Sequence, residues 1–369
     1  MHLCYQSAPN DIYKFFRKID MRAEFYVSGY ASAEEEGIHR YLFDTEKRTI
    51  RETASVAGIE SPSYMAVHPN GRVIYSGEKH AGEAEVVCYT LQGMEKEPVV
   101  VGKLPTGGIS ACHISLDSAC EYLFAANYAT GSISVFALDI DGMLVGRTDS
   151  IQHEGHGTDP VRQAGPHCHF IFCDWDEVYV CDLGLDTVFI YDFDRDTGKL
   201  SPTDRNIKTA PGDGPRHLAF HMAYPDKLYL ITEMKNEVYV LDKKNERYEV
   251  IQKISSIPKD CTAENTAAAI RFSKGGSRLL VSNRGDNSIA VFSVKHDGTL
   301  NPPVFSSSGG DAPRDINLIG DHSTGEYVIS ANQNSGDVVI YRLEDDNTLS
   351  DTGIHVISGK PTCVVPAVL

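Results

Sequence analysis

Short apolar segments separated by polar turns follow one another along almost the whole chain. The segments are four to seven residues long, are rich in Val, Ile, Tyr and Phe, and are bounded by turn dipeptides such as Asn-Gly, Asp-Gly and Gly-Asp. This pattern is typical of β-strands and hairpins. Many segments are apolar at nearly every position, which indicates sheets that are covered on both faces. The chain is therefore predicted to be all-β.

A longer pattern recurs seven times, at intervals of 47 to 56 residues. Each repeat contains a short apolar first strand, a second and a third strand joined by polar turns, and a weaker fourth strand. In the fourth repeat, the second to fourth strands are predicted at residues 227–232, 237–242 and 248–253. Four-stranded repeats at this spacing predict the blades of a β-propeller, in which neighbouring sheets bury each other's faces. The repeats begin at Pro62, Ser110, Pro166, Pro215, Thr266, Pro313 and Pro361.

The seventh repeat has room for only one strand before the sequence ends. Three more strands, which lack a first strand of their own, are predicted at residues 24–27, 39–44 and 49–56. We therefore expect the C-terminal strand to pair with these N-terminal strands and to close a seven-bladed β-propeller. Residues 21–369 would form this single domain, and residues 1–20, which match no repeat, are expected to be a poorly ordered extension.

The charge of the chain restricts its partners. With 51 acidic and 34 basic residues the net charge is −17, which opposes binding of nucleic acid or of an anionic membrane by the general surface. No apolar segment approaches the roughly 18 residues of a membrane-spanning helix. The nine cysteines are scattered without a Cys-x-x-Cys pair, as in reduced cytoplasmic proteins. We expect a cytoplasmic monomer or weak homo-oligomer that binds an anion only through a local cluster of basic residues.

Such a cluster is predicted at the central channel of the ring. The first strand of each blade lines the channel of a propeller, and His167, Arg216 and Arg314 each directly follow the proline at which their repeat begins. These residues are therefore expected to converge although they lie far apart in sequence. A single arginine there could form an ion pair between blades, but two arginines beside histidines favour an anion-binding site.

Two further charged residues end second strands in neighbouring blades, namely Glu233 and Arg284. A charge in an apolar strand is unfavourable unless it is paired or used. The pair could simply join the two blades as a mutual ion pair. Alternatively, both side chains could border the channel beside His169.

The phrase His167-Cys168-His169 allows three interpretations. A His-x-His pair on one strand face suits zinc or iron, but no second cluster in the sequence supplies a third ligand. A buried core histidine is the second interpretation, and a histidine that acts on substrate or water without a metal is the third, which we favour for His169. His167 would orient its surroundings and Cys168 would pack between blades. The sequence contains no Gly-x-Ser-x-Gly, Walker or His-Glu-x-x-His motif, which disfavours serine hydrolysis and nucleotide chemistry.

Three phrases resemble the seven-bladed propeller lactonase family, which includes bacterial 6-phosphogluconolactonases of the propeller type and, more distantly, fungal carboxy-muconate cyclases. They are GHGTDPVRQAGPHCHFIF at residues 155–172, VYVCDLGLDTVFIYDFDRDTGKL at 178–200 and GDGPRHLAFH at 212–221. The resemblance runs from about residue 25 to the C-terminus. It implies hydrolysis of a sugar lactone, with 6-phosphoglucono-1,5-lactone of the pentose phosphate pathway as the expected substrate and no cofactor or metal.

The resemblance also implies roles for individual residues. Carried over by matching motifs, the catalytic residues are His169, Glu233, Arg216 and Arg284, and the substrate-binding residues are Arg162, His167 and Arg314. The sequence departs from the family pattern at two positions. Ala269 stands where relatives usually carry an acidic residue, and Asp315 stands where they usually carry a histidine or an aromatic residue.

The chemistry is consistent with the residues themselves. Opening a lactone needs a positioned water, a base and cations near the developing oxyanion. His169 or Glu233 could take the proton of the water, and the sequence leaves this choice open. Two other functions also remain open, namely a lactone-forming enzyme that acts on a carboxy-muconate and a propeller without enzymatic activity that binds a partner.

Overall fold

The computed structural model describes residues 22–92, 97–321 and 325–367. Within these ranges the chain forms seven antiparallel sheets in a ring, the seven-bladed β-propeller that the repeats predict. None of the helices described is long and apolar enough to cross a membrane. The predicted N-terminal extension, residues 1–20, lies outside the described residues.

The blades are numbered here by the repeats, so that blade 7 is the one that closes the ring. Its three N-terminal strands are β1 (Arg22–Gly29), β2 (Glu36–Asp44) and β3 (Thr49–Ala57). Blade 1 consists of β4 (Glu60–Val67), β5 (Val73–His80), β6 (Glu83–Gln92) and β7 (Glu97–Pro105). Blade 2 consists of β8 (Ala111–Leu116), β9 (Tyr122–Asn127), β10 (Ser132–Leu138) and β11 (Leu144–Gln152).

Blade 3 contains an additional short strand and one 3₁₀ helix. Its elements are β12 (Cys168–Asp174), β13 (Glu177–Asp182), the 3₁₀ helix Leu183–Leu185, β14 (Thr187–Asp194), β15 (Lys199–Pro202) and β16 (Ile207–Lys208). Blade 4 consists of β17 (Pro215–His221), β18 (Tyr224–Thr232), β19 (Glu237–Lys244) and β20 (Arg247–Ser255).

The last two complete blades have four strands each. Blade 5 consists of β21 (Thr266–Phe272), β22 (Arg278–Arg284), β23 (Ser288–Ser293) and β24 (Val304–Ser307). Blade 6 consists of β25 (Pro313–Asp321), β26 (Gly325–Asn332), β27 (Asp337–Leu343) and β28 (Leu349–Ile357). The final strand is β29 (Pro361–Pro366).

The ring closes as the sequence predicts. Strand β29 pairs antiparallel with β1, with Phe25 opposite Pro366 and Val27 opposite Val364. Blade 7 therefore has the order β29-β1-β2-β3, in which the C-terminal strand is innermost. Because this strand comes from the other end of the chain, its backbone hydrogen bonds join the two ends of the propeller.

Packing between blades explains why the strands are apolar on both faces. Phe124 and Val135 of blade 2, for example, pack with Ile171 and Val178 of blade 3 in one buried cluster. Cys168 belongs to the same cluster, which confirms that it packs between blades. The outermost strands are less buried than the inner ones, and β7, for example, consists only of exposed and partly buried positions. The innermost strands of neighbouring blades contact one another around the whole ring and so line the central channel.

Candidate active site

The register shifts near the start of the innermost strand in every blade, and in blades 2, 3, 4, 6 and 7 the shift is a β-bulge that leaves a single residue unpaired. In blade 4, Pro215 lies opposite Thr232 and His217 opposite Ile231, so the residue between them is the extra one. A bulge changes the direction of the bulged side chain. The bulged residues are Cys112, His169, Arg216, Arg314 and Thr362. All five line one small cavity at the centre of the ring, so the bulges assemble the site.

This register corrects one prediction. The repeats, aligned on their prolines, placed His167 at the position of Arg216 and Arg314. In the structure Cys168, paired with Asp182, corresponds to Pro215, paired with Thr232, so that His169 is the bulged residue of blade 3. His167 instead precedes β12.

A second set of side chains stands where the second strands of four blades end. Each of them directly follows a fully buried polar residue, either asparagine or threonine. The set consists of Tyr128, Glu233, Arg284 and Gln333. Because these positions are equivalent in successive blades, their side chains surround the same end of the channel, which we call the mouth.

Glu233 is the centre of an ion cluster at the mouth. Its Oε2 accepts a hydrogen bond from Arg216 Nε at 3.0 Å and forms an ion pair with Arg284 Nη2 at 2.9 Å. Its Oε1 accepts from Arg162 Nη2, and Arg162 also donates to the hydroxyl of Tyr128. The Glu233–Arg284 ion pair between blades is thus present, but it is part of a larger cluster in which three guanidinium groups share one carboxylate.

The cluster fixes the ionisation of Glu233. Burial alone would raise the pKa of this carboxyl, but Arg284 and Arg216 hold it well below its usual value. Burial also lowers the pKa of Arg216 to about 9, and the neighbouring Arg284 adds to that effect. Both groups remain charged at neutral pH. Guanidinium groups engage both oxygens of this carboxylate, which leaves neither free to accept a proton from water.

His169 is a neutral imidazole beside this cluster. Its side chain is almost completely buried, and burial together with the nearby Arg216 lowers its pKa well below the usual value. The ring lies edge-on to Tyr128 at 5.5 Å and to His217 at 5.2 Å between centroids. His169 therefore carries a free lone pair at neutral pH, as a general base requires.

His167 is held at the rim of the mouth. Its ring stacks on Tyr128 at 4.5 Å, and its Nδ1 donates to the carbonyl oxygen of Tyr128 at 2.9 Å. Its backbone N–H donates to Asp182 Oδ1 at 2.8 Å. These contacts leave His167 beside the ion cluster without a direct bond to Glu233.

Arg314 differs from the other three arginines of the mouth. Among the described residues it forms no ion pair with a carboxylate; its Nη1 donates to Gln333 Oε1 at 3.1 Å, and its guanidinium lies over the ring of Tyr30 at 5.3 Å. Four guanidinium groups and one carboxylate leave the mouth with a surplus of three positive charges. In a chain of net charge −17, this is the local basic cluster that the sequence predicts.

The opposite end of the channel has a different character. It opens into a funnel lined mainly by apolar side chains such as Phe172, Phe220 and Phe272. Among the described residues that line it, Arg271 alone carries a charge. Arg271 donates to Asp315 Oδ1 at 2.9 Å and to the hydroxyl of Tyr64 at 2.9 Å, so it is paired inside the protein. The mouth is therefore the end suited to an anionic ligand.

The two departures from the family pattern lie deeper than the mouth. Asp315, besides its bond to Arg271, accepts from the backbone N–H of Val364 at 2.9 Å. It therefore links blades 5, 6 and 7 beneath the cavity. Ala269 is fully buried in the apolar core between blades 5 and 6.

Two clusters among the described residues bring three potential metal ligands together. They are His153 with Cys168 and Asp182, and Glu36 with His39 and Glu52. Neither contains His169. In the first, His153 Nδ1 donates to Asp182 Oδ2 at 2.7 Å and Nε2 accepts from the Tyr191 hydroxyl at 2.8 Å. Both nitrogens are thus used in a network that, through Asp182, anchors the backbone of His167.

Two residues whose rings contact His169 were not identified as site residues from the sequence. Tyr128 contacts His167, His169 and Arg162, and its position equivalent to Glu233 and Arg284 in the repeat could have revealed it. His217 lines the central cavity directly after the bulged Arg216. His217 could not be assigned to the site from the sequence, because the sequence does not show that its side chain points into the cavity.

Comparisons with known proteins agree with this architecture. The family model described as lactonase, seven-bladed β-propeller, matches residues 24–366. The chain is 32% identical over 347 residues to the 6-phosphogluconolactonase of Bacillus subtilis strain 168, covering 92% of this chain and 97% of that protein. A crystal structure from Lactobacillus plantarum superposes with a TM-score of 0.85 at 30% identity, covering 94% and 99% of the two chains. That of a proposed 6-phosphogluconolactonase from Bacteroides fragilis gives 0.84 at 25% identity, covering 95% and 99%.

Proposed function

Since the chain belongs to the seven-bladed β-propeller lactonase family, we propose that it hydrolyses 6-phosphoglucono-1,5-lactone to 6-phosphogluconate. The observation that carries this proposal is the composition of the mouth. A neutral histidine stands beside three surplus positive charges in a strongly acidic protein. Such a site suits a substrate that is both an activated ester and an anion.

His169 is the proposed general base. It takes a proton from a water molecule, whose oxygen attacks the carbonyl carbon of the lactone. The sequence left His169 and Glu233 as alternatives, and the three arginines on Glu233 support His169 because they occupy both oxygens of the carboxylate. Glu233 is instead proposed to hold Arg162, Arg216 and Arg284 in place.

The arginines are proposed to stabilise negative charge. When water adds to the carbonyl carbon, the carbonyl oxygen becomes an oxyanion, and guanidinium groups already in position stabilise it without reorganisation. Arg216 and Arg284 are fixed by Glu233 on blades 4 and 5 and are suited to this role. The ring oxygen then leaves with the proton that His169 accepted, which returns the imidazole to its neutral form.

Arg314 is proposed to bind the phosphate. It has no carboxylate partner among the described residues, so its charge is available to a ligand, and the guanidinium fork matches phosphate oxygens. His167, on the same rim, is proposed to contact the sugar.

Arg314→Met is expected to reduce the preference for the phosphorylated lactone. Loss of a charge-assisted hydrogen bond removes about 1.5–3 kcal/mol, which corresponds to about 10- to 100-fold in kcat/KM. The measurement is the ratio of kcat/KM for 6-phosphoglucono-1,5-lactone and glucono-1,5-lactone in both proteins. Arg342→Met is the control, because Arg342 is half exposed and pairs with Glu344 outside the site. An unchanged ratio in Arg314→Met would refute this role.

We also propose where in the cell the protein is located. The described cysteines form no disulfide, which is consistent with a reducing compartment. We therefore retain the cytoplasm as the expected location.

A further inference from the structure

A small cavity lies between the ion cluster of the mouth and the Arg271–Asp315 pair beneath it. Its volume is about 10 Å³, close to the roughly 10–15 Å³ that one water molecule needs. The bulged residues His169, Arg216 and Arg314 border it, and so do His217 and Asp315, one position further along their strands. The cavity is thus the part of the channel immediately inside the proposed lactone site.

Four polar atoms on three of these residues have no hydrogen-bond partner. They are His169 Nδ1, Arg216 Nη1 and both ring nitrogens of His217, all shielded from bulk solvent. Each residue is at most 4% exposed. A buried polar atom without a partner is unfavourable, because it has lost its bonds to water and gained none in the protein. The position of these residues around one cavity indicates an occupant that bonds to His169 Nδ1, Arg216 Nη1 and one ring nitrogen of His217.

The donors and acceptors define the chemistry of this occupant. Arg216 can only donate, whereas each neutral imidazole offers one donor and one acceptor nitrogen. An anion could not donate to the imidazole lone pairs, and a cation would be repelled by the guanidinium. Water both donates and accepts, and a water molecule needs only a small volume with two to four polar partners.

We propose that this cavity binds the water that attacks the lactone and that His217 is a further catalytic residue, which holds that water against His169. The inference rests on the proposed lactonase function. One proton of the water passes to His169 Nδ1 while the oxygen bonds to the carbonyl carbon and the carbonyl electron pair moves onto its oxygen. His217 accepts a hydrogen bond from the remaining O–H and keeps its own protonation state.

The surroundings of His217 keep its ring in one orientation. The centroids of His113, Phe170 and His169 lie 5.3, 5.1 and 5.2 Å from it, and Tyr64 lies edge-on at 6.3 Å. Burial and the neighbouring Arg216 lower the pKa of His217 well below its usual value, so the ring is neutral. A neutral, immobile imidazole is what holding a water molecule requires.

His217→Phe tests this inference. Phenylalanine keeps a ring in this position but lacks both nitrogens, so the attacking water is no longer held in place. We expect kcat to fall about 100-fold, the usual effect of misplacing a reacting group. KM should stay within about threefold, because the arginines of the mouth are unchanged, and His217→Gln should recover part of kcat. The matched control is His221→Phe, the same substitution in another buried histidine of β17 that does not line the cavity, for which we expect a kcat within a few fold of wild type.

A high-resolution crystal structure of the wild-type protein gives a second readout that does not depend on activity. We expect one water within hydrogen-bond distance of His169 Nδ1, Arg216 Nη1 and His217, and its loss in His217→Phe. A dry cavity in the wild type, or a normal kcat in His217→Phe while the wild type hydrolyses lactones, would overturn this inference alone. A wild-type protein that hydrolyses no lactone would overturn the proposed function, and this role with it.

Discussion

Replacing His169 by alanine is expected to lower kcat for lactone hydrolysis by about 10²–10⁴-fold, the usual effect of removing a general base. KM should change little, because the four arginines that attract the anionic substrate stay in place. Steady-state kinetics on 6-phosphoglucono-1,5-lactone, with circular dichroism to confirm an intact fold, would measure this.

Cys168→Ala is the matched control for His169→Ala. The two residues are adjacent in β12, but Cys168 is fully buried in the core between blades 2 and 3 and does not line the cavity. We expect it to retain activity. Normal hydrolysis by His169→Ala would show that another group is the base.

Replacing Glu233 by glutamine is expected to cause the largest loss of stability. The substitution keeps the shape of the side chain but removes the carboxylate that Arg162, Arg216 and Arg284 share. Arg216 is only 2% exposed, and breaking a buried ion pair by removing one partner destabilises by about 3–5 kcal/mol. The denaturation midpoints of the two proteins at pH 7 measure this.

The difference between wild type and Glu233→Gln should also depend on pH. The pKa of Glu233 in the folded protein is held well below its ordinary value of 4.5. The stabilisation from the charged carboxylate is therefore complete above about pH 4.5 and is lost as the pH falls towards the folded pKa. The two denaturation midpoints should converge on acidification.

Glu249→Gln is the control for this experiment. Glu249 lies in the same blade and pairs with Lys244 at 3.1 Å, but both side chains are more than half exposed, and exposed pairs contribute little. We expect almost no change in its midpoint. If Glu233→Gln destabilised the protein no more than Glu249→Gln, the ion cluster would not have the structural role assigned to it.

The blades could be predicted from the sequence because strands that are buried on both faces are apolar at nearly every position. Apolar runs such as the one in β18 recur at nearly constant spacing, and the lone C-terminal strand beside three N-terminal strands indicated how the ring closes. The additional strand β16 was not predicted, because two residues, Ile207 and Lys208, carry no pattern.

The site could be predicted only in part. Repeat equivalence brought Arg216 and Arg314 together and placed Glu233 and Arg284 at the ends of neighbouring second strands. The His-Cys-His phrase indicated His169, and the family resemblance added Arg162. The bulges were not predictable, since one extra residue in a strand leaves the hydrophobic pattern almost unchanged; this is why His167 was aligned with Arg216.

The sequence also could not predict that three arginines share the carboxylate of Glu233. Arg162 lies 71 positions away from it, and only the folded ring shows that three guanidinium groups meet on one carboxylate. This arrangement favours His169 over Glu233 as the base, and it could not be predicted from the sequence.

The most direct measurement is a pH-stat titration of acid release from freshly prepared 6-phosphoglucono-1,5-lactone by the purified protein, after dialysis against a chelator. Glucono-1,5-lactone and a carboxy-muconate are assayed in parallel. We expect release well above the spontaneous rate, unaffected by dialysis, with a higher kcat/KM for the phosphorylated lactone. Release no faster than without protein, turnover of the muconate alone, or activity that dialysis abolishes and one added metal restores would contradict hydrolysis of a phosphorylated lactone by His169 at the mouth of this propeller.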